Sequence, residues 1–378
     1  MTDDDYKNRA GFCPAPWTSI YMQPNGDVDN CCVSENKLGN INKDSFSNII
    51  NSANNIAVKR QMLSNNVLPE GCSICAGETP LPLRENYIKW FEKNPKTLFD
   101  NYDSFDLKYL DLRWRNTCNF ACVYCSSDLS SAWAQEVGIF PTKIDSTKFD
   151  EFHDYIIKNV KGLETVYLAG GEPLLIKENE SILEQLYKEN PNCNLRVNTN
   201  LSTINNRIFE LISKFKNVHW MISAEAIEEQ YDYIRYGGKW SEFVENLTEL
   251  KKNSKHEITF NAVYLSLNIF GIFKFVDFVE SQGFDPVSVS ILYYNNGTGG
   301  TYDPRNLPTD IVDKAKNLVC QRLTSATDSF TINKLNSILH ILNTPYNNKG
   351  YWGVYDMIKL LDSRRNLDSF KTFPEIYS

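Results

Sequence analysis

The chain has 378 residues, enough for one large α/β barrel domain with an appendage or for two ordinary domains, and its 42% hydrophobic and 23% charged content is that of a soluble globular protein. A formal net charge of −8 without a Lys/Arg stripe argues against a nucleic-acid backbone as partner, and no apolar run reaches transmembrane length. The start, MTDDDYKNRAGF, lacks the basic and apolar regions of a signal peptide, so a cytoplasmic location with no membrane partner is expected.

Residues 18–32 place a strand on either side of Asn25-Gly26, a hairpin signal because both residues tolerate positive φ. A polar helical stretch is expected over 44–64, and LPEGCSICAGETP reads as a Gly/Pro-rich loop. From residue 107 the pattern alternates. Strands are expected at 107–114, 163–171, 193–200, 217–225, 257–265 and 286–294, with helices at 146–159, 182–189, 206–215, 240–251 and 272–282. Six βα repeats predict an α/β fold, a partial (β/α)6 TIM-like barrel of parallel strands with right-handed crossovers. The expected domains are a small cysteine-rich hairpin/helix auxiliary domain at 1–100, the barrel at 101–300 and a helical C-terminal extension at 301–378. Its final FKTFPEI fits either a docking tail or an ordinary helix end.

Ten cysteines are many for an unsecreted chain, and in a reducing compartment clustered thiols read as metal ligands or redox groups. Cys193 and Cys320 stand alone and are expected to be small core hydrophobes. Cys118, Cys122 and Cys125 follow the first barrel strand, where the loops after strand ends build active sites. Structural zinc and plain electron-transfer clusters take four protein ligands. Three thiolates on a cubane leave one iron open to a small molecule. Zinc or a group of buried thiols also fits the spacing alone. After the second strand come Gly170, Gly171, Glu172 and Pro173, where glycines allow close backbone approach and Glu172 supplies a carboxylate for a cation.

Cys118, Cys122 and Cys125, with Tyr124 before the last thiol and Gly-Gly-Glu-Pro about 45 residues further on, resemble the radical S-adenosylmethionine (SAM) superfamily. The resemblance implies a [4Fe–4S] cluster on the three cysteines and SAM chelated to its open iron. It implies that residues 170–173 hold the SAM amino group and that Tyr124 tunes the cluster potential. It further implies reductive cleavage of SAM to a 5′-deoxyadenosyl radical that abstracts hydrogen from a substrate. Asn198 and Asn200 after strand three and Ser223 after strand four are the implied ribose contacts, and Arg235 the implied carboxylate contact. Each fits a cap, turn or ion pair as well. Val263 is either an adenine contact or a core valine. No acid/base residue for the substrate is assigned.

Near the N-terminus stand Cys13, then Gly26 with four residues to Cys31, then Cys32, Cys72 and Cys75. Four thiolates satisfy either structural zinc or a fully ligated [4Fe–4S] cluster. The pattern resembles the auxiliary-cluster domains called SPASM and twitch, which implies an auxiliary [4Fe–4S] cluster that passes electrons. In those families the domain usually follows the barrel; here it precedes it. Cys31 and Cys32 are both candidates, and the Gly-x4-Cys spacing favours Cys31. The resemblance implies oxidative modification of a peptide or protein side chain, with a reductant such as flavodoxin or ferredoxin. No separate leader-peptide-binding domain is apparent, which keeps a nucleotide or other small metabolite as the alternative substrate. A non-catalytic iron–sulfur or zinc protein is the third reading.

Overall fold

The computed structural model describes residues 11–65, 67–75, 83–91, 96–293, 300–345 and 353–378. The hairpin forms where the sequence marks it. β1 (Ser19–Met22) and β2 (Asp27–Asp29) are antiparallel, pairing Tyr21 with Asp29 and Met22 with Val28, and β3 (Gly39–Asn40) adds to β2. The connection is a three-residue loop, Pro24-Asn25-Gly26, closed by Gly26 N–H to Gln23 O (2.9 Å) and Gln23 N–H to Asp27 O (2.9 Å). Only Gly26 takes positive φ (+88°); Asn25 uses its side chain instead, accepting from Asp27 N–H at 3.0 Å.

β1 also pairs in parallel with β4 (Tyr109–Leu112), Ser19 opposite Tyr109 through Met22 opposite Leu112. The cysteine-bearing hairpin therefore extends the same sheet as the first barrel strand. The remaining strands are β5 (Thr165–Leu168), β6 (Asn194–Thr199), β7 (Asn217–Ser223), β8 (Glu257–Tyr264) and β9 (Val289–Tyr293).

The chain divides into two compact units. The first comprises residues up to Thr117 with Phe140–Val197 and Asn205–Val218; its strand order is β3-β2-β1-β4-β5-β6. The second comprises Cys118–Ile139, Asn198–Ile204 and His219–Ser378, with strands ordered β7-β8-β9. β4, β5 and β6 run parallel, as do β7, β8 and β9, with helices in the connections. The α/β class with parallel strands, expected of a partial barrel, is the class observed. In β4 the alternation is complete. Leu110, Leu112 and Trp114 are buried on one face, where Trp114 meets Phe149 (4.6 Å) and Phe152 (5.8 Å) of helix Ser146–Asn159. Tyr109, Asp111 and Arg113 point the other way.

Several expectations change in detail. The helical stretch over 44–64 is two helices, Phe46–Ile50 and Ala53–Asn65, because the Asn55 side chain takes the Ile50 carbonyl (2.7 Å) at the break. Glu70–Cys75 is a 3-10 turn within the expected loop, whose residues 76–80 lie outside the described residues. The sixth strand begins only at Val289, since Asp285 caps Val287 N–H (2.9 Å) and Pro286 opens a 3-10 turn; Tyr294 lies outside the described residues. Cys193 is buried, but Cys320 is exposed. It falls off the stripe of Ile311, Ala315 and Val319 that helix Thr309–Ser325 buries. Phe373 and Ile376 of FKTFPEI are fully buried, Phe373 against the Tyr233 ring (5.0 Å), so this segment packs as a helix end. Among the described residues no helix is long and apolar enough to cross a membrane.

At the end of β5 the backbone of residues 171–172 lies against Thr117. Glu172 N–H donates to Thr117 O (2.7 Å), and a Cβ on Gly171 would stand 2.1 Å from that oxygen. Gly171→Ala must displace backbone and is expected to cost at least about 2 kcal/mol in urea denaturation. Gly162→Ala, whose nearest neighbour would be 3.7 Å away, is expected to stay within about 0.5 kcal/mol of the parent.

Candidate active site

The loop carrying Cys118, Cys122 and Cys125 belongs to the second unit and is pinned by its backbone on both sides. Ala121 N–H donates to Tyr236 O and Val123 N–H to Ile234 O, each at 2.8 Å. Ser130, which caps helix Ser131–Val137, donates to Phe120 O (2.6 Å), and Trp133 Nε1 donates to Cys122 O (2.6 Å). The Trp133 ring is held in turn by Arg365, which lies over it at 4.6 Å and over Tyr236 at 4.4 Å and pairs with Glu136 (3.0 Å). The loop therefore has backbone anchors that do not depend on the thiols.

The sulfurs carry polar neighbours. Asn200 Nδ2 reaches Cys118 Sγ at 3.9 Å and Arg235 Nη1 reaches Cys122 Sγ at 4.0 Å. Burial pushes the Cys122 thiol up; Arg235 pulls it down, and Cys125 and Cys118 push it further up. Burial likewise raises Cys125. Three thiolates gathered here need the compensating charge of bound metal.

Beside Cys122 lies a buried ion pair. Arg235 Nη2 donates to Glu225 Oε2 (2.7 Å) and to Tyr124 OH (2.6 Å), and Tyr124 OH donates to Glu225 Oε2 (3.3 Å). Burial alone would lower Arg235, but Glu225 and Tyr124 hold it well above its usual value. Glu225 Oε1 and Arg235 Nε are buried with no hydrogen-bond partner. An unmet acceptor and an unmet donor in one buried cluster are costly to the bare protein and fit a ligand bearing both an ammonium and a carboxylate.

Ser223 Oγ donates to Asn198 Oδ1 (3.3 Å), which also accepts from Asn261 Nδ2 (3.0 Å), so these three residues of the second unit form one polar patch. Asn200 donates to Asn119 Oδ1 (3.1 Å) as well as to Cys118. Val263 is a buried residue of β8. In the first unit, Glu172 is fully buried and accepts from Leu174 N–H (3.1 Å), and Pro173 opens the 3-10 turn it caps.

The N-terminal thiols form a second set, within the first unit. Cys13, Cys31, Cys72 and Cys75 line one apolar cavity together with Met62, Leu68 and Tyr87. Cys32 is exposed and does not line it. Phe12, Trp17 and Phe99, mutually 5.5–5.8 Å apart, form the apolar cluster against which Cys13, Cys72 and Cys75 pack. Burial pushes Cys13 up to about 12, and Asn36 Nδ2 donates to Cys72 Sγ at 3.4 Å.

Among the described residues no three Cys, His, Asp or Glu side chains converge on a single-ion site. Residue-by-residue reading missed Glu225, Asn261, Trp133 and Arg365. Glu225 was readable as an acid closing MISAE at a strand end; Arg365 carries no local signal.

The family model described as the radical SAM superfamily matches residues 114–278, and that of SPASM, an iron-sulfur cluster-binding domain, matches residues 13–76. Similar curated proteins include the GTP 3′,8-cyclases of Nautilia profundicola (27% identical over 101 residues, 26% of this chain and 30% of that protein) and Sulfurimonas denitrificans (25% over 104 residues, 27% and 30%). The chain thus spans under a third of the length of the curated relatives it matches. Similar solved structures include native anSMEcpe with bound AdoMet (20% identity, TM-score 0.42, 56% of this chain and 58% of that one). Another is Streptococcus suis SuiB bound to S-adenosylmethionine (16%, TM-score 0.43, 73% and 60%). The radical SAM domain brings a [4Fe–4S] cluster and SAM as cofactors, and the SPASM domain an auxiliary iron–sulfur cluster. With the cysteine loop and Gly-Gly-Glu-Pro inside one match and four cavity-lining thiols inside the other, the chain carries a radical SAM domain at residues 114–278 and a SPASM iron-sulfur domain at residues 13–76.

Proposed function

We propose that this chain cleaves SAM reductively and oxidises a peptide or protein side chain. The observation that carries the reading is the pinned three-thiol loop with the unmet Glu225 and Arg235 atoms beside it. Bound together, a three-cysteine [4Fe–4S] cluster and SAM supply one-electron cleavage of a sulfonium C–S bond, giving methionine and a 5′-deoxyadenosyl radical that takes hydrogen from an unactivated C–H bond.

The chain's own residues do the rest. Cys118, Cys122 and Cys125 would hold the cluster, and Asn200 and Arg235 place N–H groups near two of the sulfurs, where they would tune its redox poise. Arg235 Nε receives the SAM carboxylate while Tyr124 and Glu225 keep the guanidinium from turning. Residues Gly170, Gly171, Glu172 and Pro173 receive the amino group. Asn198, Ser223 and Asn261 orient the ribose hydroxyls. Cys13, Cys31, Cys72 and Cys75 hold the auxiliary cluster in an apolar cage, which suits electron passage rather than ligand exchange. A cytoplasmic location and a flavodoxin- or ferredoxin-type reductant complete the proposal.

The SPASM match supports the auxiliary cluster, and the peptide substrate is what the resemblance to that group of enzymes implies. The cyclase matches, over about a quarter of the chain, support a nucleotide as the second reading. Mass spectrometry of the protein incubated with peptide and metabolite pools separates them by which component loses hydrogen.

Two outcomes test the reading. Anaerobic protein with dithionite and SAM is expected to contain about eight iron and eight sulfide per chain and to release 5′-deoxyadenosine. Cys122→Ala should bring release down to the level without protein. Replacing Cys72 and Cys75 by Ala should abolish substrate oxidation while leaving SAM cleavage measurable; if neither activity is lost, the electron-passing role is wrong. Glu225→Ala strands a buried guanidinium and is expected to cost about 3–5 kcal/mol in denaturant unfolding. A value near zero would show that the ion pair is not the anchor assigned here.

A further inference from the structure

A row of polar side chains crosses five strands of the first unit. Register sets Asp29 opposite Tyr21, Tyr21 opposite Asp111, Asp111 opposite Tyr167 and Tyr167 opposite Arg196. Directly opposed residues share a face, so all five stand on the side away from Leu110, Leu112 and Trp114. The inner positions of α/β sheets are ordinarily filled by Val, Ile and Leu. Charged groups there are expensive unless paired or put to use.

Arg113, two residues beyond Asp111 on the same face, shows the use. Its Nε and Nη2 donate to the two Asp111 oxygens at 3.1 and 3.2 Å, and its guanidinium lies over the Tyr21 ring at 4.6 Å. Asp111, with its side chain 1% exposed, thus occupies one side of the fork and fixes its plane. The opposite edge stays open: Nη1 has no hydrogen-bond partner among the described residues, and the Arg113 side chain is 18% exposed. That edge matches the two oxygens of a carboxylate. Arg196 lies over the Tyr167 ring at 5.5 Å, at the β6 end of the row. At the other end of the row Asp29 is 2% exposed, and its Oδ1 is buried without a partner. The row therefore offers a fork for an anion at one place and an unmet acceptor for an N–H at another.

We propose that Arg113, backed by Asp111 and Tyr21, receives a carboxylate of the substrate while Asp29 accepts an N–H from the same molecule. The ligand chemistry is that of a peptide with an acidic side chain at or beside the modified residue. This inference rests on the peptide-oxidising reading of the preceding subsection.

The test uses the full chain, reconstituted anaerobically with iron, sulfide and SAM. Equilibrium dialysis compares two peptide pools, randomised except for a central Glu in one and Gln in the other, and compares GTP with guanosine. The Glu pool is expected to be retained about ten-fold better than the Gln pool, the scale of a charge-assisted hydrogen-bond pair. Arg113→Gln should bring the ratio to near unity, and Arg113→Lys should keep part of it, since the charge remains without the fork. Equal retention of the two pools by the parent protein, a comparison needing no variant, would overturn the assignment. So would a preference that survives in Arg113→Gln. Retention of GTP over guanosine with the same Arg113 dependence, and no Glu preference, would overturn the peptide ligand while leaving Arg113 as an anion receptor. Release of 5′-deoxyadenosine in the same samples reports separately on the radical reading.

Discussion

Three like-charged thiolates can share one short loop only if something other than the thiols holds that loop in place. Here the backbone does. Ala121 and Val123 bond to the carbonyls of Tyr236 and Ile234, and the carbonyls of Phe120 and Cys122 accept from Ser130 and Trp133. The loop's shape is thus held by its backbone as well as by whatever the thiols bind, which suits ligands whose geometry a cluster must dictate. The Glu225–Arg235 pair depends on the same pinning, because Arg235 directly follows the Ile234 whose carbonyl receives Val123.

The clamp reaches far along the chain. Arg365, at the end of helix Val354–Arg365, lies between the Trp133 and Tyr236 rings and is tied to Glu136, so a residue of the C-terminal extension braces both segments that flank the loop. Stacking between two rings uses the planar face of the guanidinium, which lysine lacks. The extension is thus part of what keeps the loop in shape, and its buried face, with Ile358, Leu361, Phe373 and Ile376, anchors that brace.

The first unit shows the same economy of means. Parallel pairing of β1 with β4 carries the hairpin and its cysteines into the sheet, and places Tyr21 in register with Asp111. One strand pairing therefore sets two things together: where the hairpin that leads to Cys31 stands, and which polar side chains share a face with Arg113. In that row Asp111 and Arg113 are paired with each other; the exceptions are Asp29 Oδ1 and the open edge of Arg113. Those exceptions carry the information about a ligand.

Much of this was legible from residue order. The spacing of Cys118, Cys122 and Cys125, the glycines at 170 and 171, the turn ending at Gly26 and the alternation of strands and helices are all set within a few residues. Backbone geometry at that range admits few alternatives. What lay beyond reach was every choice among distant partners. The pairing of β1 with β4, the capture of Arg235 by Glu225 and Tyr124, the brace from Arg365 and the exposure of Cys320 each depend on residues brought together only by packing. Local sequence determined which elements form and which chemical groups they carry. Tertiary structure decided which groups meet, because burial and register act across the whole chain whereas propensity and spacing act only along it.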